Sequence, residues 1–220
     1  MIVLENVLTT EELATVREFL REAQFVDGKM TADASIRNRK ENQQIKRSET
    51  ALPVDRLIAQ AFIRHALFQA WALPMRMVPP LFNRYGEGMF YGDHVDNVIC
   101  ADPPLRADIS LTLFLSDPAD YDGGELVVEG PSAPVAVKLP AGSAFAYLSN
   151  TVHRVQKITR GERFAAVNWV QSLVPDDRLR AILFDLTRVE HALAQTINET
   201  PVYNLLAKAR QNLERLAVRP

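Results

Sequence analysis

Between Met75 and Leu173 turn residues cut the chain into short β-like runs, and this punctuation restricts the fold more than any other feature. The runs expected as strands are Met77–Tyr85, Met89–Asp96, Asp108–Ser116, Gly124–Glu129, Val135–Leu139, Ser143–Leu148, Val152–Thr159 and Glu162–Ser172. Breaks fall at Gly86-Glu87-Gly88, Asp102-Pro103-Pro104, Asp122-Gly123-Gly124, Pro140-Ala141-Gly142 and Arg160-Gly161. Short strands at this spacing close into a sandwich, barrel or jelly roll. A jelly roll suits a metal site, because it makes distant strands neighbours around one cavity.

Helical spacing brackets the β region. Thr9 and Glu12 form a capping box, and Leu13, Val16, Phe19 and Leu20 follow at helical intervals, which predicts a helix over Thr10–Ala23. A second helix is expected over Pro53–Ala70, with Val54, Leu57, Ile58, Ala61, Phe62 and Ala66 as its apolar stripe. Residues 27–50 read as polar and irregular, with a basic loop at 37–47. After Pro175 two further stripes appear: Leu179, Ile182, Leu183, Leu186 and Val189, then Val202, Leu205, Leu206, Ala209, Leu213 and Leu216. The expected organisation is a mainly β domain over 1–174 with flanking N-terminal helices and a jelly-roll core at about 75–173. A C-terminal helical extension follows over 175–220, to cover the barrel or pair with another subunit as a homo-oligomer.

A chain of 220 residues buries a sizeable core as one domain. Its net charge of −2 disfavours a dedicated nucleic-acid binder. The lone Cys100 closes no intramolecular disulfide, which fits a reducing compartment. No signal peptide and no run near the ~20 apolar residues of a membrane span is seen, so a cytoplasmic location is expected.

His94-Val95-Asp96 carries the chemistry. Positions two apart on a strand share a face, so one imidazole and one carboxylate can reach one ion. His153, 57 residues after Asp96, supplies a third ligand from another strand. Two His and one carboxylate on one side of a metal is the facial triad of non-haem Fe(II) oxygenases, with positions left open for a co-substrate and O2. Arg163 follows ten residues after His153. A hairpin pairing Val152–Thr159 with Glu162–Ser172 would bring Arg163 beside its partner strand, where it can hold a small dicarboxylate by a bidentate pair. Asp93 is expected to face away from the metal. His65 and His191 are expected to be structural or exposed. Asp108, Ser110 and Thr112 share a strand face, which either lines the cavity or is the polar side of a half-exposed strand.

The stretch Asn83-Arg84-Tyr85-Gly86-Glu87-Gly88-Met89-Phe90-Tyr91-Gly92-Asp93-His94-Val95-Asp96 resembles the prolyl 4-hydroxylase-type Fe(II)/2-oxoglutarate dioxygenases. So do Gly123-Gly124-Glu125-Leu126, His153-Arg154-Val155 and Thr159-Arg160-Gly161-Glu162-Arg163. Lys40-Glu41-Asn42-Gln43-Gln44 and the C-terminal helices resemble the bacterial PKHD-type hydroxylases within that superfamily. The core resemblance spans about residues 77–172.

The resemblance implies that His94, Asp96 and His153 bind Fe(II) and act as the catalytic centre. Arg163 would hold the C5 carboxylate of 2-oxoglutarate, Tyr85 would help hold that co-substrate, and Trp169 would lie near the iron or serve as core packing. L-ascorbate would support turnover. The implied reaction hydroxylates an unidentified substrate, a peptidyl residue or a small molecule such as a siderophore, and releases succinate and CO2. Asn42, Gln44 and the basic loop would border the substrate entrance. The main alternative is a non-catalytic cupin-like metal-binding or sensing module, against which Arg163 argues. A zinc hydrolase lacks an evident general base, and a nucleic-acid demethylase is disfavoured by the mild acidity.

Overall fold

Each stretch of regular structure is set by a local device and then fixed by pairing. In the computed structural model, which describes residues 1–31, 37–45, 52–100, 104–197 and 200–219, the chain opens with β1 (Ile2–Leu4) and α1 (Thr10–Glu22). The capping box is present, with Glu12 N–H donating to Thr9 Oγ1 at 3.2 Å and Thr9 N–H to Glu12 Oε2 at 2.9 Å. Three short strands follow where irregular structure was expected: β2 (Phe25–Asp27), β3 (Lys40–Glu41) and β4 (Gln43–Ile45). Lys46, Arg47 and the Asp102-Pro103 break lie outside the described residues.

The second expected helix is two, α2 (Leu52–Arg64) and α3 (Ala66–Ala72). His65 interrupts them and caps α3, its Nδ1 accepting from Phe68 N–H at 3.3 Å. The first expected β run is also split, by Val78-Pro79-Pro80, into β5 (Pro74–Met77) and β6 (Leu81–Tyr85), since proline cannot donate within a ladder. Next come β7 (Phe90–His94), β8 (Ile99–Cys100), β9 (Leu105–Arg106), β10 (Ile109–Phe114) and β11 (Tyr121–Gly123). The β region closes with β12 (Leu126–Val128), β13 (Val135–Val137), β14 (Ala144–Leu148), β15 (His153–Val155), β16 (Ile158–Gly161) and β17 (Arg163–Ser172). Helices α4 (Asp177–Ile197) and α5 (Pro201–Ala217) finish the chain.

Two sheets face each other as a jelly roll. The larger runs β1-β14-β10-β17-β6-β4-β2, with β5 also on β17, and the smaller runs β13-β12-β15-β7-β3. The helices pack on the outer face of the larger sheet, where Val16, Ile58, Phe62, Leu111, Leu113 and Ala166 share one core. A second core, with Phe114, Leu126, Val128, Tyr147 and Ile158, fills the space between the sheets. The expected hairpin onto β17 is not formed: β15 pairs with β12 and β7, β16 with β11, and β17 with β10, β6 and β5. Strands β15, β16 and β17 follow one another in the chain but lie in three different sheets, so the turn at Arg160-Gly161 is a crossing rather than a fold-back.

The C-terminal helices pack on each other, and α4 packs on α3. Leu183 and Ala217 join Val174 in a small core, and the buried Arg180 donates to Val174 O at 2.6 Å. Ile182, Val189, Val202, Leu205 and Leu216 of the expected stripes are exposed. No helix among the described residues is long and apolar enough to cross a membrane.

Candidate metal centre and its cavity

Pairing of β7 with β15 sets His94 directly across from His153. Each ring is held by the carbonyl two residues earlier: His94 Nδ1 lies 2.8 Å from Gly92 O, and His153 Nδ1 lies 3.0 Å from Thr151 O. A carbonyl only accepts, so each Nδ1 carries the proton and each Nε2 keeps its lone pair. Burial, then the neighbouring His153, pushes the His94 pKa well below its ordinary value, so this imidazole is neutral.

Asp96 is brought in by a different route from the one expected. Strand β7 ends at His94, so strand alternation does not aim the carboxylate. Instead Ser110, buried on β10, donates its hydroxyl to Asp96 Oδ2 at 2.5 Å. Ser110 Oγ also lies 2.8 Å from Ser149 Oγ. With its one proton given to Asp96, Ser110 accepts from Ser149. Asp96 Oδ2 and His153 Nε2 stand 3.8 Å apart. One ligand atom each from His94, Asp96 and His153 lies within 4.8 Å of the others, the only such cluster among the described residues.

Arg163 opens β17 in register with Tyr85 on β6. Its side chain is 1% exposed, and the guanidinium carbon sits 5.4 Å from the Tyr85 ring centre and 5.3 Å from that of Phe114. Its Nε and Nη2 meet no hydrogen-bond partner among the described residues. Gly124 makes room for it. A Cβ there would come within 3.2 Å of Arg163 Cδ and 2.3 Å of Ile158 Cδ1, and the residue has φ +67°.

A cavity of about 350 Å³ lies between the sheets. The triad, Arg163, Tyr85, Thr112 and Trp169 line it, so Thr112 follows the cavity reading of the two left open for its strand face. Ser110 serves Asp96, whereas Asp108 pairs with Arg106 at 2.8 Å and accepts from Ser172 N–H at 2.8 Å, a structural role. Asp93 is exposed and pairs with Arg154 at 3.1 Å. His191 is exposed on α4. Cys100 borders the cavity, its pKa raised to about 11 by burial and then by Asp96, so it is a neutral thiol. Asn42 and Gln44 are buried, both donating to Asn83 Oδ1, at 2.9 and 2.8 Å.

Two contributors, Lys40 and Tyr91, appeared in the sequence reading only inside longer stretches, with no role of their own. Lys40 is 4% exposed and lines the cavity, and its Nζ lies 5.0 Å from the centre of the Tyr91 ring. Tyr91 in turn stacks on His94, with ring centres 3.6 Å apart. Burial drives the Lys40 pKa down to about 8, with Asp96 and Asp27 drawing it back up. The alternation of Lys40, Asn42 and Gln44 was the available signal of a strand.

The sequence pattern of the 2OG-Fe(II) oxygenase superfamily matches residues 80–171. A PKHD-type hydroxylase of Picosynechococcus sp. is 45% identical over 96% of both chains. Another, from Acaryochloris marina, is 44% identical over 98% of both. The chain belongs to the PKHD-type hydroxylases. Members of this family are enzymes of the Fe(II)- and 2-oxoglutarate-dependent class, and the triad geometry agrees with that membership. A Trichoplax adhaerens prolyl hydroxylase, solved with a hypoxia inducible factor peptide fragment, shares the fold of this PKHD-type chain. It aligns with a TM-score of 0.61 at 14% identity, covering 82% of this chain and 86% of its own.

Proposed function

We propose that His94, Asp96 and His153 hold the Fe(II), and that Arg163, with Tyr85 beside it, binds the distal carboxylate of 2-oxoglutarate. The observation that carries this reading is the Arg163 guanidinium, buried in the cavity beside the triad with two nitrogens lacking a partner. A buried guanidinium in that state is matched by a carboxylate, which accepts two parallel N–H bonds. The donor set of two imidazoles and a carboxylate suits ferrous iron. Bound iron, with 2-oxoglutarate and O2, supplies the oxidising power for hydroxylation, and succinate and CO2 are the co-products.

The chain's own residues do the rest. The Gly92 and Thr151 carbonyls orient the imidazoles, Ser110 fixes the carboxylate, and Leu126, Val155, Val167 and Trp169 restrict water. The prime substrate is a peptidyl residue or a small molecule such as a siderophore. The peptide bound by the Trichoplax adhaerens neighbour supports the first. L-ascorbate is the reductant expected to sustain turnover, in a cytoplasmic setting.

Anaerobic titration with Fe(II) and 2-oxoglutarate, followed by the metal-to-ligand charge-transfer band, tests the assignment. Wild type develops the band, and Asp96→Ala does not while remaining folded by circular dichroism. Arg163→Ala needs about 100-fold more 2-oxoglutarate, the loss expected for a charge-assisted pair. An undiminished band in Asp96→Ala would show that another carboxylate serves the metal.

A further inference from the structure

Two buried groups that lack hydrogen bonds stand side by side at the back of the cavity. The Tyr121 hydroxyl has no hydrogen-bond partner among the described residues, and neither have Nε and Nη2 of Arg163. Both residues belong to the interior between the sheets, and Tyr121 is wholly buried. A Cβ added at Gly124 would fall 3.1 Å from Tyr121 Cε2 and 3.2 Å from Arg163 Cδ, so ring and stem meet over this glycine. Burial raises the phenol pKa, and the Arg163 charge, acting at hydrogen-bonding range, draws it back. The pair is thus in contact without being aligned as a hydrogen bond.

The fold delivers Tyr121 to this place and holds it. Strands β11 and β16 form a two-stranded sheet in which Tyr121 lies opposite Gly161, two residues before Arg163. A Cβ at Gly161 would come within 2.1 Å of Asp120 O, so only glycine allows that approach. From the other side Lys138 donates to Tyr121 O at 2.7 Å, and its Nζ lies 4.0 Å from the ring centre. The ring is fixed, and its hydroxyl end is the one that meets the guanidinium. Arg163 lines the cavity and Tyr121 does not, so the tyrosine stands behind it.

A count of donors gives the hydroxyl its task. Nη2 carries two hydrogens. A carboxylate that takes Nε–H and one of them leaves the other without an acceptor in a site poor in water, where a bond left unmade is costly. The two buried amide oxygens that also lack a partner are placed elsewhere. Asn42 Oδ1 sits against Gly28, where an added Cβ would fall 1.9 Å from it. Asn168 is an odd number of residues along β17 from Arg163, so it faces the opposite side, where its Nδ2 donates to Val78 O at 3.0 Å.

We propose that Tyr121 is a positioning residue for the co-substrate: its hydroxyl accepts the Arg163 N–H that the distal carboxylate leaves unused, and so locks the guanidinium in its gripping orientation. This rests on the assignment of Arg163 as the 2-oxoglutarate anchor given above. Tyr121 acts through Arg163 rather than on the acid, and what it sharpens is the choice of a keto acid with a second carboxylate.

The test uses full-length protein loaded with Co(II) and kept anaerobic, titrated calorimetrically with 2-oxoglutarate and with 2-oxopentanoate. The two acids share the keto acid end and the carbon chain, and a methyl group replaces the distal carboxylate in the second. Tyr121→Phe keeps the ring. It is expected to bind 2-oxoglutarate about 10- to 100-fold more weakly, the loss for one hydrogen bond to a charged group, and to bind 2-oxopentanoate as wild type does. Arg163→Met is expected to bind the two acids alike, and Tyr121→Phe added to it changes nothing further.

Equal 2-oxoglutarate affinity in wild type and Tyr121→Phe sinks the proposal, with the Arg163 assignment untouched. Equal weakening of both acids sinks it too, because the hydroxyl then only supports the cavity wall. A further loss in the double variant would put the hydroxyl on the carboxylate itself, and also overturns it. If Arg163→Met still prefers 2-oxoglutarate, the anchor assignment fails and the Tyr121 role falls with it. Melting curves without ligand complete the set. Removing a buried hydroxyl that has no partner is expected to leave the melting point unchanged or raise it. A Tyr121→Phe that melts well below wild type, or does not fold, would make the hydroxyl a support of the empty fold and overturn the proposal.

Discussion

Ser110 shows how much of a candidate metal site lies one bond behind its proposed ligands. Its hydroxyl is the hydrogen-bond donor to Asp96 Oδ2, and Ser149 stands behind it. Groups in that position orient ligands and hold their charge, and their loss costs about 10–100-fold in metal affinity. Ser110→Ala is therefore expected to weaken Co(II) binding by about that factor, read by calorimetry, with Ser110→Thr recovering most of it. Unchanged affinity would make the contact incidental. That His94, Asp96, His153 and Arg163 come together at one cavity was readable from residue type and spacing, because the proposed metal and carboxylate chemistry demands those groups. Ser110 was readable only as one of two possibilities, since a small polar residue on a strand looks the same inside a cavity or half in water. Lys40 was unreadable for the opposite reason: a lysine in a polar run is usually solvated.

At the scale of strands and helices, local devices were legible and long-range pairing was not. The Thr9–Glu12 box started α1 where its spacing said, because its bonds span three residues. The short strands β3 and β4 escaped notice, since their buried positions are Lys40, Asn42 and Gln44 rather than apolar residues. The mistaken hairpin onto β17 came from treating neighbours in sequence as neighbours in space.

Gly124 illustrates an element serving the site. It belongs to the turn into β12 and leaves just enough room for the Arg163 stem. Gly124→Ala is expected to displace that guanidinium and raise the half-saturating 2-oxoglutarate concentration by about 10- to 100-fold, measured in succinate-release assays. The α1 helix offers a pH test. Arg17 bonds Asp117 at 2.9 Å and holds its carboxyl below the ordinary value. A carboxyl depressed on folding stabilises above its unfolded pKa of about 4 and loses that contribution as pH falls through the folded value. Arg17→Ala should therefore narrow its stability gap from wild type as urea midpoints are taken from pH 6 down towards pH 3. A constant gap would mean that the pair is not linked to protonation.

For the molecule as a whole, the buried Arg163 has a thermodynamic consequence. Two of its nitrogens have no partner among the described residues, and a buried donor left so costs about 1–3 kcal/mol. Arg163→Met keeps the stem and removes that deficit. The variant is expected to melt higher than wild type without ligand, and to gain nothing from added 2-oxoglutarate, whereas wild type gains with its logarithm. Calorimetric scans with and without the acid decide this, and a lower melting point for Arg163→Met would show that the guanidinium stabilises the empty fold. If Arg163 is the 2-oxoglutarate anchor, folding and nutrient state are thereby joined. Where the keto acid is scarce, more chains open and reach proteases, so the cellular amount of this enzyme should rise and fall with central carbon supply.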